Sequence, residues 1–187
     1  MIHIKEHQSE SYAPRTYANA ASASVTAAFA LDFHTAGEKL TKKAAGYKYI
    51  ALPLQQEMDE VSPTQNAVAL LAFCRKKKAH SINVAGNGIY TTSRFGWDQG
   101  RLNAYVFQVL STVYQQHPLQ HVYCGGQTGL DIAGAVAAEA LGIAVTIHMP
   151  KGLKQRLETG EDVARDPREI YEEVKAMARF LHRRLSP

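Results

Sequence analysis

Tyr123-Cys124-Gly125-Gly126-Gln127-Thr128-Gly129-Leu130-Asp131 is the stretch whose reading decides the fold. Before it, His121 to Cys124 alternates as a strand does. After it, Asp131 to Leu141 has the composition of a buried helix. Three glycines in five residues join the two. Glycine adopts positive φ and lets another group approach the backbone closely. The start of the helix offers unpaired amides and the positive end of its dipole, so a phosphate or carboxylate is favoured there. Thr128 adds a hydroxyl, and Asp131 either caps the helix or accepts from a ribose hydroxyl. The expectation is a strand-turn-helix element whose amides bind phosphate.

Working outward, strands and helices alternate. Ser81 to Gly86 is a strand that runs into a second glycine turn, Gly86-Asn87-Gly88-Ile89-Tyr90. Gln99 to Gln115 is a helix with Leu102, Val106, Val109 and Val113 on one face. Ile143 to His148 is a strand closed by Pro150. Towards the amino terminus, Val25 to Phe33 and Tyr49 to Leu54 read as strands, and Ala36 to Ala45 as a helix stopped by Gly46. Ser62 caps and Pro63 opens a helix reaching Lys78, with Val68, Leu71 and Ala72 on one face. Glu169 to Leu185 is a final amphipathic helix. Residues 1–24 carry no assigned element and are set apart as an N-terminal extension. The order implies one Rossmann-like α/β domain, a mostly parallel sheet of about five or more strands with helices on both faces. Ligands of such sheets bind at the carboxyl ends of the strands.

Several residues after strands are candidates for that pocket. Asn87 and Gly88 with Gly86 form a second amide-rich wall, and Arg94 can pair with a phosphate. Tyr90 and Trp97 either stack on a base or cover the core. Asp32 and Glu38 are candidates for a general-base or ribose-binding role. Thr35 and Glu38 also have capping-box spacing, which explains Glu38 without a ligand.

Other chemistry finds little support. Cys74 and Cys124 form no Cys-x-x-Cys pair. His3/His7 and His117/His121 have metal-ligand spacing, but Pro118 argues against a helix through the second pair, and no metal site is expected. His148 after a strand reads as structural. There is neither a Gly-x-Ser-x-Gly elbow nor a Walker pattern.

The chain has 187 residues, 45% of them hydrophobic, with two cysteines. That fits one globular domain in a reducing, cytoplasmic setting. No signal peptide or membrane span is read from it. The net charge is +4, with a basic run at Arg75-Lys76-Lys77-Lys78 and another at Arg179, His182, Arg183 and Arg184. Both sit at expected helix ends, where cations complement the dipole, so solvated ends are favoured over a nucleic-acid face.

The glycine motif, together with Ala133, Ala137, Ala138, Leu141-Gly142-Ile143 and Pro150-Lys151-Gly152, resembles the molybdenum-cofactor carrier group. That group lies in the Rossmann-like SLOG superfamily, beside the DNA-processing protein DprA and the cytokinin-activating LOG enzymes. The resemblance spans Ser81 to Gly160. It implies that Gly125, Gly126, Gln127, Thr128, Gly129, Asp131, Lys151 and Gly152 line an anionic-ligand pocket. LOG enzymes carry Pro-Gly-Gly-x-Gly-Thr-x-x-Glu, whose glutamate supports glycosidic cleavage. Here Cys124 replaces the proline, Gln-Thr-Gly-Leu-Asp follows the glycines, and the glutamate has no counterpart. The resulting expectation is a carrier, sensor or sequestering protein for a phosphorylated nucleotide or nucleotide-like cofactor, such as a molybdopterin-type pterin phosphate, with no cofactor required. The alternative is an enzyme cleaving an N-glycosidic bond of a nucleotide, with Glu38 or Asp32 in place of the missing glutamate. Single-stranded nucleic-acid binding is a weaker expectation, and homo-oligomerisation follows by analogy.

Overall fold

Along the central strands, residues alternate so that one sheet face is apolar and the other polar. The computed structural model describes residues 1–55 and 61–185. Strands β1 (Ile2–Glu6), β2 (Val25–Ala30), β3 (Tyr49–Pro53), β4 (Ser81–Gly86), β5 (His121–Cys124) and β6 (Ala144–Met149) form a six-stranded sheet in the order β1-β6-β5-β4-β2-β3. Every pairing in it is parallel. Helices α1 (Tyr12–Ser22) and α2 (Ala36–Ala45) pack together on one face. Helices α3 (Val61–Lys77), α5 (Gln99–Gln116), α6 (Leu130–Ala140) and α7 (Pro167–Leu185) pack in succession on the other, and the short α4 (Ile89–Thr92) follows β4. A small antiparallel pair, β7 (Lys154–Arg156) and β8 (Asp162–Ala164), lies between β6 and α7. The fold is the expected Rossmann-like α/β domain with a parallel sheet. Among the described residues no helix is long and apolar enough to cross a membrane.

The apolar face carries Val25, Ala27, Phe29, Ile82, Val84, Val122, Cys124, Val145 and Ile147, all fully buried. The strand register places Tyr49, Thr26, Asn83, Tyr123, Thr146 and His3 in one row across the six strands, on the other face. That row explains why only two helices cover this side, and it gives the cleft described below a polar floor.

Four sequence expectations change. The set-apart segment 1–24 is part of the sheet and its cover: β1 pairs with β6, and α1 lies over the polar face. Ser11 caps α1, its side chain accepting from the Ala13 N–H. The strand expected over Val25 to Phe33 stops at Ala30, because the Leu31 and Asp32 amides turn to the Asn87 side chain. In α3 the buried stripe is Ala67, Leu70, Leu71 and Cys74, whereas Val68 is 61% exposed and Ala72 is exposed too. Position 67 starts a full i, i+3, i+4, i+7 stripe, and position 68 faces away from it. That helix begins at Val61, and the Ser62 side chain lies outside the described residues, as do those of His182, Arg183 and Arg184. The stripe Leu102, Val106, Val109 and Val113 of α5 is fully buried as expected.

Helix α6 sits between the sheet and helices α5 and α7, and almost its whole circumference is buried. Gly134 permits its closest approach: a Cβ there would meet the Val84 side chain at 2.6 Å. Gly134→Val should therefore overpack the α6–β4 contact and lower Tm by about 3–10 °C, read by calorimetry or circular dichroism.

Candidate functional site

In the chain order, β2 leads outward to β3, and the next strand, β4, lies on the opposite side of β2. The loops after β2 and β4 therefore diverge, and a cleft of about 420 Å³ opens between them at the carboxyl edge of the sheet. One wall is the first turn of α2, Thr35 to Glu38. The other is Gly86-Asn87-Gly88 with Tyr90. Asn83 of the polar row forms part of the floor, α1 contributes Tyr12, Arg15 and Asn19, and Arg156 stands at the side.

Asn87 bolts the diverging loops together. Its Oδ1 accepts from the Leu31 and Asp32 N–H groups at 2.9 and 3.0 Å, and its Nδ2 donates to the Asp32 carbonyl at 3.0 Å. The side chain expected to meet a ligand lines the cleft and also makes three hydrogen bonds within the protein. Asp32 follows the same pattern: Oδ1 accepts from the His34 N–H at 2.7 Å, forming a local turn, and the residue does not line the cleft.

The glycine turn is also engaged internally. Gly129 donates its N–H to Gln99 Oε1 at 2.6 Å and accepts from Gln99 Nε2 at 2.9 Å. The Leu130 N–H donates to the Asn87 carbonyl at 3.2 Å, and the Ile89 N–H donates to the Thr128 carbonyl at 3.1 Å. Gly88 and Gly129 form an antiparallel bridge, so the two glycine turns hold each other. Gln127 Nε2 donates to the Lys154 carbonyl, and its Oε1 accepts from the Arg156 N–H, at 2.9 and 2.8 Å. Thr128 Oγ1 donates to the Arg156 carbonyl. These side chains act as one more strand edge for β7. The Gly129 and Leu130 amides are thus taken up within the protein, and of the turn Gly125 and Gln127 line the cleft, while Gly126, Thr128 and Gly129 do not.

The glycines themselves answer to packing. A Cβ at Gly126 would meet Ile147 at 2.6 Å and Met149 at 2.8 Å, and its φ is 73°. A Cβ at Gly125 would fall 1.4 Å from Arg15 Nη1. Arg15, absent from the sequence-based candidates, lies across this glycine with its side chain 9% exposed, and pairs with Asp131 Oδ2 at 3.2 Å. The Gln127 and Gly86 amides also point at the Asp131 carboxylate. Burial raises the Asp131 pKa, and Arg15 opposes that rise. Asp131 is thus neither a simple cap nor an open hydroxyl acceptor.

Glu38 is 3% exposed and lines the cleft. The capping box forms by half: Thr35 Oγ1 accepts the Glu38 N–H at 3.2 Å, but Glu38 Oε2 has no hydrogen-bond partner. Burial, then Asp131 and Asp32, push its carboxyl up to about 8, so it is protonated at neutral pH. Of the two carboxylates singled out from sequence, the structure brings Glu38 into the cleft and leaves Asp32 outside it.

Arg94, Lys151 and Gly152 lie elsewhere. Arg94 is exposed and stacks 4.2 Å from the Tyr90 ring centroid. The Lys151 N–H donates to the Ser9 carbonyl and the Gly152 N–H to Glu6 Oε1, so the Pro-Lys-Gly turn anchors the chain after β1. Trp97 is 3% exposed and packs edge-on against Tyr105 at 5.6 Å between centroids, a core role. Cys124 is buried and its thiol is pushed up to about 12, which makes it a poor nucleophile. His148 Nδ1 lies 2.9 Å from Asn19 Oδ1, and His117 Nε2 lies 2.6 Å from the Ala79 carbonyl oxygen.

Sequence reasoning missed Tyr12, Arg15, Asn19, Asn83 and Arg156. Two signals were available. Ser11 with Pro14 marks a helix start, putting Arg15 and Asn19 on one face at i, i+4 spacing. Asn83 is a polar residue in mid-strand, in register with Thr26 and bonded to it at 3.3 Å.

The pKa of Glu38 has a stability consequence. Its folded value, about 8, exceeds the ordinary 4.5, so folding favours the protonated form. The resulting stabilisation is full below pH 4.5 and is lost progressively as pH rises through about 8. Glu38→Gln should abolish this slope and exceed the wild type at alkaline pH by about 2–4 kcal/mol, measured by urea unfolding across a pH series.

No protein-family model matches this chain, and neither the curated proteins nor the solved structures contain a match to it.

Proposed function

We propose that the protein binds a phosphorylated nucleotide or nucleotide-like cofactor, such as a pterin phosphate, in the cleft between β2 and β4, as a carrier, sensor or sequestering protein. The observation that carries this reading is the cleft itself. It lies at the carboxyl edge of a parallel sheet where strand order reverses, and it has polar groups on its floor and an aromatic ring at its wall. Its volume of about 420 Å³ is in the range of small-molecule sites. Tyr90, 40% exposed and backed by Arg94, offers a stacking face for a base or pterin. Asn83, Asn19 and Thr41 offer partners for hydroxyls.

Calorimetry against a panel of nucleotides and pterin phosphates tests this reading, aided by the mass of any small molecule that co-purifies. Tyr90→Ala should weaken binding by about tenfold or more while leaving Tm near the wild-type value. Absence of binding across the panel would remove the proposal.

A second reading, cleavage of the N-glycosidic bond, is favoured by one observation. Glu38 is a protonated carboxyl with an unpartnered oxygen inside the cleft, which suits a general acid delivering a proton to a departing base. Incubation with nucleotides or nicotinamide dinucleotides, followed by chromatography for free base, tests it. Wild type should release base, and Glu38→Gln should slow release by about a hundredfold or more. Tight binding without release leaves the carrier reading alone.

A further inference from the structure

With the amides of Gly129 and Leu130 engaged, the cleft has another group of donors. Helix α2 is ten residues long. In its first turn, Thr35 Oγ1 takes the Glu38 N–H and the Thr35 carbonyl takes the Lys39 N–H. The Ala36 and Gly37 amides have no acceptor among the described residues, and both residues line the cleft. The positive end of the helix dipole lies at the same point.

Two buried side chains point to a missing partner there. Glu38 is 3% exposed and its Oε2 is unpaired; Arg15 is 7% exposed and its Nε is unpaired. Both line the same cleft as the open amides. Gly37 supplies the room, since a Cβ built on it meets nothing within 4 Å. Arg156, at the mouth, binds Asp162 through Nε and Nη2 at 2.9 Å each, so its charge is balanced within the protein.

We infer that the first turn of α2, and not the glycine turn, receives the phosphate group of the ligand, with the Ala36 and Gly37 N–H groups, the Glu38 carboxyl and Arg15 Nε as its donors. This refines the nucleotide-binding reading, and rests on it only for the rest of the ligand. Glu38 must be protonated to donate, and once ionised it repels an anion. The groups facing it are Asp131 of α6, paired with Arg15 of α1, Asp32 in the turn before α2, and Tyr49 of β3. Anion affinity should therefore fall as pH rises through about 8.

The test is amide-resolved NMR of the full chain titrated with inorganic phosphate and with sulfate. Sulfate keeps its charge across the range, so its pH dependence reports the protein alone. Saturable shifts are expected at Ala36 and Gly37, with sulfate affinity at least about tenfold weaker at high pH than at neutral pH. Glu38→Gln should reduce that ratio to less than about twofold. Gly37→Leu, whose Cβ meets nothing within 4 Å, should remove the shift at Ala36 and keep Tm. Saturable shifts at Gly125 to Gly129 instead, unchanged anion binding in Gly37→Leu, or no saturable shift at all would overturn the assignment. Nucleotide binding indifferent to Gly37→Leu would overturn it while the nucleotide reading stands. Phosphate and sulfate binding at α2 without nucleotide binding would leave the anion site and remove the nucleotide reading.

Discussion

The Arg15–Asp131 ion pair is the interaction on which the cleft depends. Both side chains are about nine-tenths buried, and the pair joins residues 116 positions apart. Removing one partner of such a pair leaves a buried charge uncompensated, typically a loss of about 3–5 kcal/mol. The pair also dictates its neighbours. Arg15 occupies the space of a side chain at position 125, so any other residue there would displace the ion pair. The Gln127 and Gly86 amides, with Arg15, favour the charged form of the Asp131 carboxylate against the effect of burial. Helix α1 is thereby held over the polar sheet face, and the third side of the cleft exists.

This constraint changes the meaning of the glycine-rich motif. In Gly125-Gly126-Gln127-Thr128-Gly129, each glycine admits a neighbour: Arg15 at 125, Ile147 and Met149 at 126, and the Asn87–Ile89 backbone at 129. The two polar residues between them dock β7. The motif acts as the knot where four segments meet.

Legibility followed the range of the interactions. Strand β4, helix α2 and most of α5 could be read closely, because apolar periodicity and local stop signals define them. Helix α2 even revealed its cap, since Thr35 and Glu38 are three residues apart. That same spacing concealed the destination of the Glu38 carboxyl, which burial beside Asp131 decides. The engagement of the Gly129 and Leu130 amides was not legible, because a free helix start looks, in one dimension, like an occupied one. Gln99 and Asn87, which take up the Gly129 and Leu130 N–H groups, lie 30 and 43 positions upstream of them. Strand β1 offered only Ile-His-Ile-Lys-Glu, a half-polar alternation that becomes a strand through its pairing with β6.

That pairing bears on how the molecule is made. The amino-terminal strand and helix are synthesised well before their partners, β6 for β1 and Asp131 for Arg15, the latter pair being 116 positions apart. Loops of this length are slow to close, and contacts of high sequence separation dominate the folding time. A nascent chain can pair β2, β3 and β4 with α2 on the polar face while Arg15 of α1 still lacks Asp131. The cleft is complete only once α1 has met α6, so its presence reports that segments far apart in the sequence have joined.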